Sequence, residues 1–255
     1  MIAGYSFIYK YKSSENFGLL IAKIEAEDFV RIGGDLEYVT HKNKTNPKTS
    51  IINSHYTEPM SFQMEIISLE PITNNDWIDI CNWLASDKKY NRLKINNDLY
   101  EGYHMNCYMS EIEKIEFATG HHGLKVKVNC DSSFMWSDEK ETLVYDTFPT
   151  FVEIDTHQRG YIYPEVVISV GQSGGNISVI NKTDNNRTST ITDAQANEII
   201  ELMSNPKTIV GYNHKNIYES FNKKWLRFIN GTNEINIDGD IAQIEITYEK
   251  ARLFI

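Results

Sequence analysis

A chain of 255 residues with 41% hydrophobic and 24% charged residues has the composition of a soluble globular protein, long enough for two domains with separate cores. The formal net charge of −10 argues against a sequence-independent nucleic-acid binder, whose affinity rests on Lys and Arg displacing counterions from phosphates. No run approaches the roughly 18 apolar residues that span a bilayer, and the opening Met1-Ile-Ala-Gly-Tyr-Ser-Phe has no basic region ahead of an apolar block, so neither membrane insertion nor export is expected.

Residues 1–130 are dominated by short alternating segments rich in aromatic and β-branched residues, the period-2 pattern of half-buried strands. Strands are predicted at Tyr5 to Tyr9, Phe17 to Ile24, Ser61 to Leu69, Tyr103 to Phe117 and Leu124 to Cys130. In the last, Leu124, Val126, Val128 and Cys130 fall on one face, opposite Lys125, Lys127 and Asn129, which describes a sheet with one dry side. Between strand-like flanks lies His41-Lys42-Asn43-Lys44-Thr45-Asn46-Pro47-Lys48-Thr49-Ser50. Asn-Pro initiates turns and little here can be buried, so a projecting hairpin arm is predicted, with Lys42 to Thr49 as its contact residues. The alternative is a plain solvated loop.

A helix is predicted from Thr73 to Ala85. Thr73 and Asp76 have capping-box spacing, and Trp77, Ile80, Cys81 and Leu84 follow at helical intervals, a stripe expected to pack on the sheet. The stretch Asp131 to Thr156 is expected to hold the domain crossing, dividing the chain into residues 1–135 and 136–255. Beyond it, strands are predicted at Glu165 to Val170, Asn176 to Asn181, Trp225 to Ile229, Glu234 to Ile237 and Ile241 to Tyr248. These are separated by turns such as Gly171-Gln-Ser-Gly-Gly175 and Asn230-Gly231, as in a β-sandwich. A second helix is predicted at Asp193 to Met203, because Thr192 and Gln195 imitate a capping box and Ala196, Ile199, Ile200 and Met203 share a helical face.

Enzymatic patterns are missing: no Walker-type phosphate loop, no G-x-S-x-G elbow and no H-E-x-x-H motif occurs. Cys81, Cys107 and Cys130 are odd in number and lack C-x-x-C spacing, so they read as packed, reduced thiols. His121-His122 reads as a solvated turn, and Glu111 and Glu113 as the solvent face of a strand. No catalytic residue, metal site or cofactor is therefore assigned. Tyr161, Tyr163, Tyr212 and Trp225 are candidates for stacking on sugar rings, set against the ordinary use of aromatic residues in cores and interfaces.

Several strings, in their order, carry a resemblance. Trp77-Ile-Asp-Ile-Cys-Asn-Trp-Leu84, Tyr90-Asn-Arg-Leu-Lys-Ile95, Tyr103-His-Met-Asn-Cys107 and Val128-Asn-Cys130 resemble the first domain of siphophage distal tail (Dit) proteins. Tyr163-Pro164-Glu-Val-Val-Ile168, Gly174-Gly-Asn-Ile-Ser-Val-Ile-Asn181 and Asn230-Gly-Thr-Asn-Glu-Ile-Asn-Ile-Asp-Gly239 are similar to signatures of the second. The resemblance implies a mainly β protein: an N-terminal β-sandwich with one flanking α-helix and a projecting β-hairpin, then a C-terminal galectin-like β-sandwich. It further implies a homo-hexameric ring joined through the N-terminal domains, made in the host cytoplasm and placed at the distal end of the phage tail. The partners implied are the tail-tube protein, a tail-associated fibre or lysin protein, and receptor-binding or baseplate proteins. An acidic lumen would repel DNA phosphates and let the genome slide through, without sequence-specific contact. The family supplies no catalytic residues. The competing reading is a carbohydrate-binding module adsorbing to host cell-wall polysaccharide.

Overall fold

The computed structural model describes residues 4–25, 36–42, 49–56, 58–68, 70–85, 89–116, 122–158, 160–204, 206–213 and 216–254. The chain forms two compact units, Met1–Asp138 together with Ala251–Ile255, and Glu139–Lys250.

The first unit contains β1 (Phe7–Tyr9), β2 (Lys12–Ser13), β3 (Leu19–Glu25), β4 (Leu36–Lys42), β5 (Thr49–Tyr56), β6 (Ser61–Ser68), α1 (Asn74–Ala85), β7 (Asn91–Ile95), β8 (Tyr103–Glu116), β9 (His122–Cys130) and β10 (Met135–Ser137). Among the described residues one antiparallel sheet runs β2-β1-β7-β8-β9-β6-β3, and β10 joins it through β8. Alternation decides which face is dry: Phe62, Met64 and Ile66 of β6 and Leu124, Val126, Val128 and Cys130 of β9 are buried in one cluster. On the outer face Lys23, Glu65, Lys125 and Glu113 stand in register across β3, β6, β9 and β8, so neighbouring strands present opposite charges. A bulge interrupts β8 between Ser110 and Glu113. There Glu111 takes φ +51 and approaches Lys127 at 3.8 Å, while Glu113 stays in register with Lys125.

Helix α1 starts as its sequence predicts. Asp76 N–H donates to Thr73 Oγ1 and Thr73 N–H to Asp76 Oδ2, each at 3.2 Å, which closes the capping box. Its buried residues are Ile80, Trp83 and Leu84, whereas Trp77 and Cys81 are half-buried. The packed stripe is thus turned toward Trp83, a residue the predicted stripe omits. Trp83 stacks on Phe7 and Phe17 with ring centroids 5.6 and 5.2 Å away. Its indole N–H donates to Tyr9 O at 3.0 Å, and Lys10 Nζ donates back to Trp83 O at 2.7 Å.

The second unit contains β11 (Glu141–Tyr145), β12 (Thr150–Ile154), β13 (Glu165–Val170), β14 (Gly175–Asn181), β15 (Arg187–Ala194), β16 (Ile199–Ser204), β17 (Lys207–Gly211), α2 (Ile217–Ser220), β18 (Gly231–Asp238) and β19 (Ile241–Tyr248). Two antiparallel sheets, β11-β19-β13-β16-β17 and β12-β18-β14-β15, share one largely aliphatic core. Val166, Ile168, Ile200, Leu202, Ile244 and Ile246 supply one wall, and Val152, Ile177, Val179, Ile191 and Ile235 the other.

Two expectations fail here. The helix predicted at Asp193 to Met203 is instead the end of β15, a tight turn, and β16. Asp193 and Asn197 both sit at φ +57, a left-handed conformation that Asp and Asn tolerate and a helix does not. The would-be cap closes the turn: Gln195 N–H donates to the buried Glu198 at 2.9 Å, and Asn197 N–H to Gly171 O at 2.9 Å. Ile200 and Leu202 then alternate inward with strand periodicity. The strand predicted at Trp225 to Ile229 is an irregular crossing segment whose backbone pairing is the isolated Ile162–Phe228 bridge.

The last strand, β20 (Ala251–Arg252), returns to the first unit and pairs with β10, Met135 opposite Arg252 and Trp136 opposite Ala251. Behind it the buried Phe254 meets Phe62 and Tyr100, both with centroids at 5.2 Å.

Candidate functional site

The arm predicted from the polar stretch is built on β4 and β5, which pair from Leu36–Tyr56 to Lys42–Thr49 with a register shift between Val39 and Thr40. Lys42 and Thr49 form the last pair, while Asn43, Lys44, Thr45, Asn46, Pro47 and Lys48 lie outside the described residues. Among the described residues this ribbon pairs with no other strand of the chain. A lone two-stranded ribbon is marginal in water, and both its edges offer backbone donors and acceptors to a further strand.

The four aromatic candidates fall into different surroundings. Tyr161 is 44% exposed and carries the Arg227 guanidinium 3.4 Å from its ring centroid. Lys207 Nζ lies 4.1 Å from the ring centroid of Tyr163, which also hydrogen-bonds Arg227. Arg227 therefore joins Tyr161 to Tyr163, and each ring has a cation on one face. That guanidinium is fixed by a two-point ion pair with the buried Asp184, Nε to Oδ2 at 2.6 Å and the second nitrogen to Oδ1 at 3.0 Å, which pushes its pKa up. Trp225 is half-buried edge-on to Phe221, with centroids 5.2 Å apart. Tyr212, 65% exposed, lies just past β17 in the other sheet, where its hydroxyl donates to Glu201 at 2.9 Å and the carboxylate raises its pKa.

The crossing segment that holds Trp225 and Arg227 is tied down carbonyl by carbonyl. Ser189 Oγ donates to Lys224 O, Arg187 Nε to Trp225 O at 2.8 Å, Asn181 Nδ2 to Arg227 O at 2.9 Å, and Asn233 Nδ2 to Ile229 O at 2.8 Å. Asn181 and Asn233 are fully buried and bonded to each other at 3.0 Å, and Asn233 Oδ1 also accepts from Ile229 N–H at 3.0 Å. These amides substitute for the ladder that an irregular segment lacks.

Residues 2–132 match the family model of the phage tail protein N-terminal domain, and residues 134–248 that of the phage tail C-terminal domain. The chain belongs to this phage tail protein family. No curated protein matches it. Among solved structures the tail protein is similar to the Dit (gp 19.1) protein of phage SPP1, described as a paradigm of the hub adsorption apparatus in phages that infect Gram-positive hosts. The TM-score is 0.71 at 10% identity, over 96% of this chain and 98% of that one. A chain from the activated baseplate of phage p2 matches with a TM-score of 0.44 at 12% identity, over 97% and 98%. The fold is thus that of the distal tail protein the sequence strings resemble.

In the tail protein those strings are structural. Asn181 and Asn233 end or punctuate two of them as the buried amide pair. Gly239 sits at φ +101, where a Cβ would lie 2.3 Å from Asn176 O. Trp83 is the aromatic centre of another. One polar cluster escaped sequence reasoning because its members are far apart in the chain: the buried His104 places Nδ1 3.1 Å from Asp138 Oδ1, with Lys94 at 2.6 Å and Arg92 at 3.9 Å from the same carboxylate. Burial, then the Arg92 charge, lower the His104 pKa against the opposing pull of Asp138. Of the predicted His pair, His122 opens β9 rather than lying in a turn, and His121 is outside the described residues. Among the described residues no cluster of three or more His, Cys, Asp or Glu could hold a metal ion, and no helix is long and apolar enough to cross a membrane.

Proposed function

We propose that this tail protein is a non-enzymatic hub subunit. Six copies close a ring through their first units at the distal end of the tail. The ring joins the last tail-tube ring to a tail-associated protein, carries receptor-binding or baseplate proteins outside, and passes DNA through its lumen. The observation that carries this reading is the β4–β5 ribbon, which among the described residues pairs with no other strand, on a fold shared with SPP1 Dit over 96% of the chain. Head-to-tail contacts of this kind close rings when the rotation per subunit divides a full turn. A net charge of −10 per copy favours a lumen that repels phosphate.

Arm contacts are polar and individually weak, so assembly depends on concentration. Light scattering at rising concentration is expected to move the mass from the 29.5 kDa monomer toward six copies. Deleting residues 42–49 is expected to weaken assembly while both units stay folded. A species that remains monomeric at high concentration, with no ring in negative-stain images alone or mixed with tail-tube protein, overturns the hub reading. Glycan-array binding by that monomer would instead support the carbohydrate-binding alternative.

A further inference from the structure

Cys107 in β8 and Cys130 in β9 are free thiols that stand directly opposite each other in the antiparallel ladder. The hydrogen bonds around them define the type of pair. Cys130 N–H turns away from β8 and donates to Met60 O at 2.9 Å, while the next residue, Asp131, donates toward β8, to Asn106 O at 3.0 Å. The two cysteines therefore occupy a non-hydrogen-bonded position, where Cα atoms approach to about 4.5 Å and side chains lie closest. That separation is within the roughly 4.4–6.8 Å spanned by disulfides. Cross-strand partners point to the same face, and here both enter the first unit's core, exposed by 0% and 4%. Burial shuts out larger thiol partners. The third cysteine, Cys81, is half-buried on α1 and belongs to neither strand.

We infer that Cys107 and Cys130 are a latent cross-strand disulfide, reduced when the chain folds and closed by a small-molecule disulfide in oxidising surroundings, which locks β8 to β9. In the reaction one thiolate attacks the small disulfide and releases one small thiol, leaving a mixed disulfide on the protein. The second thiolate then attacks that protein sulfur and expels the second small thiol. The protein loses two electrons and two protons, and the reagent gains both. Desolvation pushes Cys130 up to about 12 and Cys107 well above the usual thiol range, so both stay protonated and the exchange waits on local opening of the β8–β9 seam. Slow closure suits a tail protein, whose virion leaves a reducing cytoplasm for an aerobic medium.

The test incubates the full-length protein with oxidised glutathione for increasing times, then unfolds it in an alkylating reagent. Of the three thiols, one is expected to be alkylated. Peptide mapping is expected to link Cys107 to Cys130, and the melting temperature to rise until reductant is added. Cys81→Ala should leave the link unchanged, and Cys107→Ala should abolish it. If Cys107→Ala does not fold, the peptide map of the wild type and of Cys81→Ala decides. Three alkylated cysteines after incubation near the unfolding transition, glutathione adducts without a protein crosslink, or a link through Cys81 would each overturn the inference.

Discussion

The first unit holds its non-strand element with aromatic bulk, whereas the second holds its own with buried amides. In the first, Trp83 of α1 stacks on Phe7 and Phe17 and spends its one polar group on Tyr9 O. A helix satisfies its own backbone, so what it needs from the sheet is a shape to fill. The segment from Phe221 to Asn230 has no such internal ladder, and its carbonyls are met by Ser189, Arg187, Asn181 and Asn233. What it needs is donors. The same requirement, burial of a segment against a sheet, is met by packing where the backbone is self-sufficient and by side-chain hydrogen bonds where it is not.

Breaking the aromatic arrangement should have the largest effect. Trp83→Ala is expected to destabilise the first unit by about 3–5 kcal/mol, a cavity cost set by the burial of a large ring. Trp77→Ala, on the half-buried side of the same helix, should cost clearly less. Denaturant unfolding with a probe in each unit checks both; equal losses for the two tryptophans would show that the helix packs through the stripe read from the sequence.

Next in size, Asn233→Ala should take the side-chain partner from Ile229 O and Ile229 N–H and remove one of Asn181's hydrogen bonds, at about 1–3 kcal/mol for a buried group so orphaned. Its signature is regional. Hydrogen exchange should accelerate across residues 221–230 while the first unit stays protected, and a uniform loss of protection would mean that the amide pair does not act locally.

The smallest effect concerns His104. Because its folded pKa is lowered, the neutral imidazole is the form the fold prefers. Its contribution is fully present above the unfolded value of 6.5 and is lost as pH falls through the lower folded value. Arg92 and Lys94 from β7 oppose its protonation and Asp138 favours it, so Asp138→Asn should widen the gap and steepen the loss. Melting temperatures from neutral to mildly acid pH, for the wild type and His104→Gln, measure this; parallel curves would remove His104 from the acid response.

How much of this was legible follows the same division. Where packing rules, the pattern sufficed: the alternation from Leu124 to Cys130 and the reciprocal bonds of Thr73 and Asp76 stand as read. The helical stripe was nearly right, missing Trp83 because the register of a helix face depends on what the sheet offers. Where polar groups rule, local pattern misled. Thr192 and Gln195 look like a capping box, yet positive φ at Asp193 and Asn197 turns the chain into a hairpin, and a β-rich stretch from Trp225 to Ile229 became a crossing segment. Asn181 and Asn233 are 52 residues apart and their pairing leaves no trace in spacing. Nor does a Tyr residue reveal that a cation will sit on its ring.

Strand β20 and Phe254 carry a consequence for synthesis. The first unit is interrupted in the chain by the whole of the second, and Phe254 fills a place between Phe62 and Tyr100. On the ribosome, the segment up to Asp138 emerges early but lacks this last strand and side chain. The second unit, whose residues are continuous from Glu139 to Lys250, can be complete first. Birth order and folding order are then reversed: the first unit reaches its final packing only after residue 254 is free, once the whole of the second unit has been synthesised.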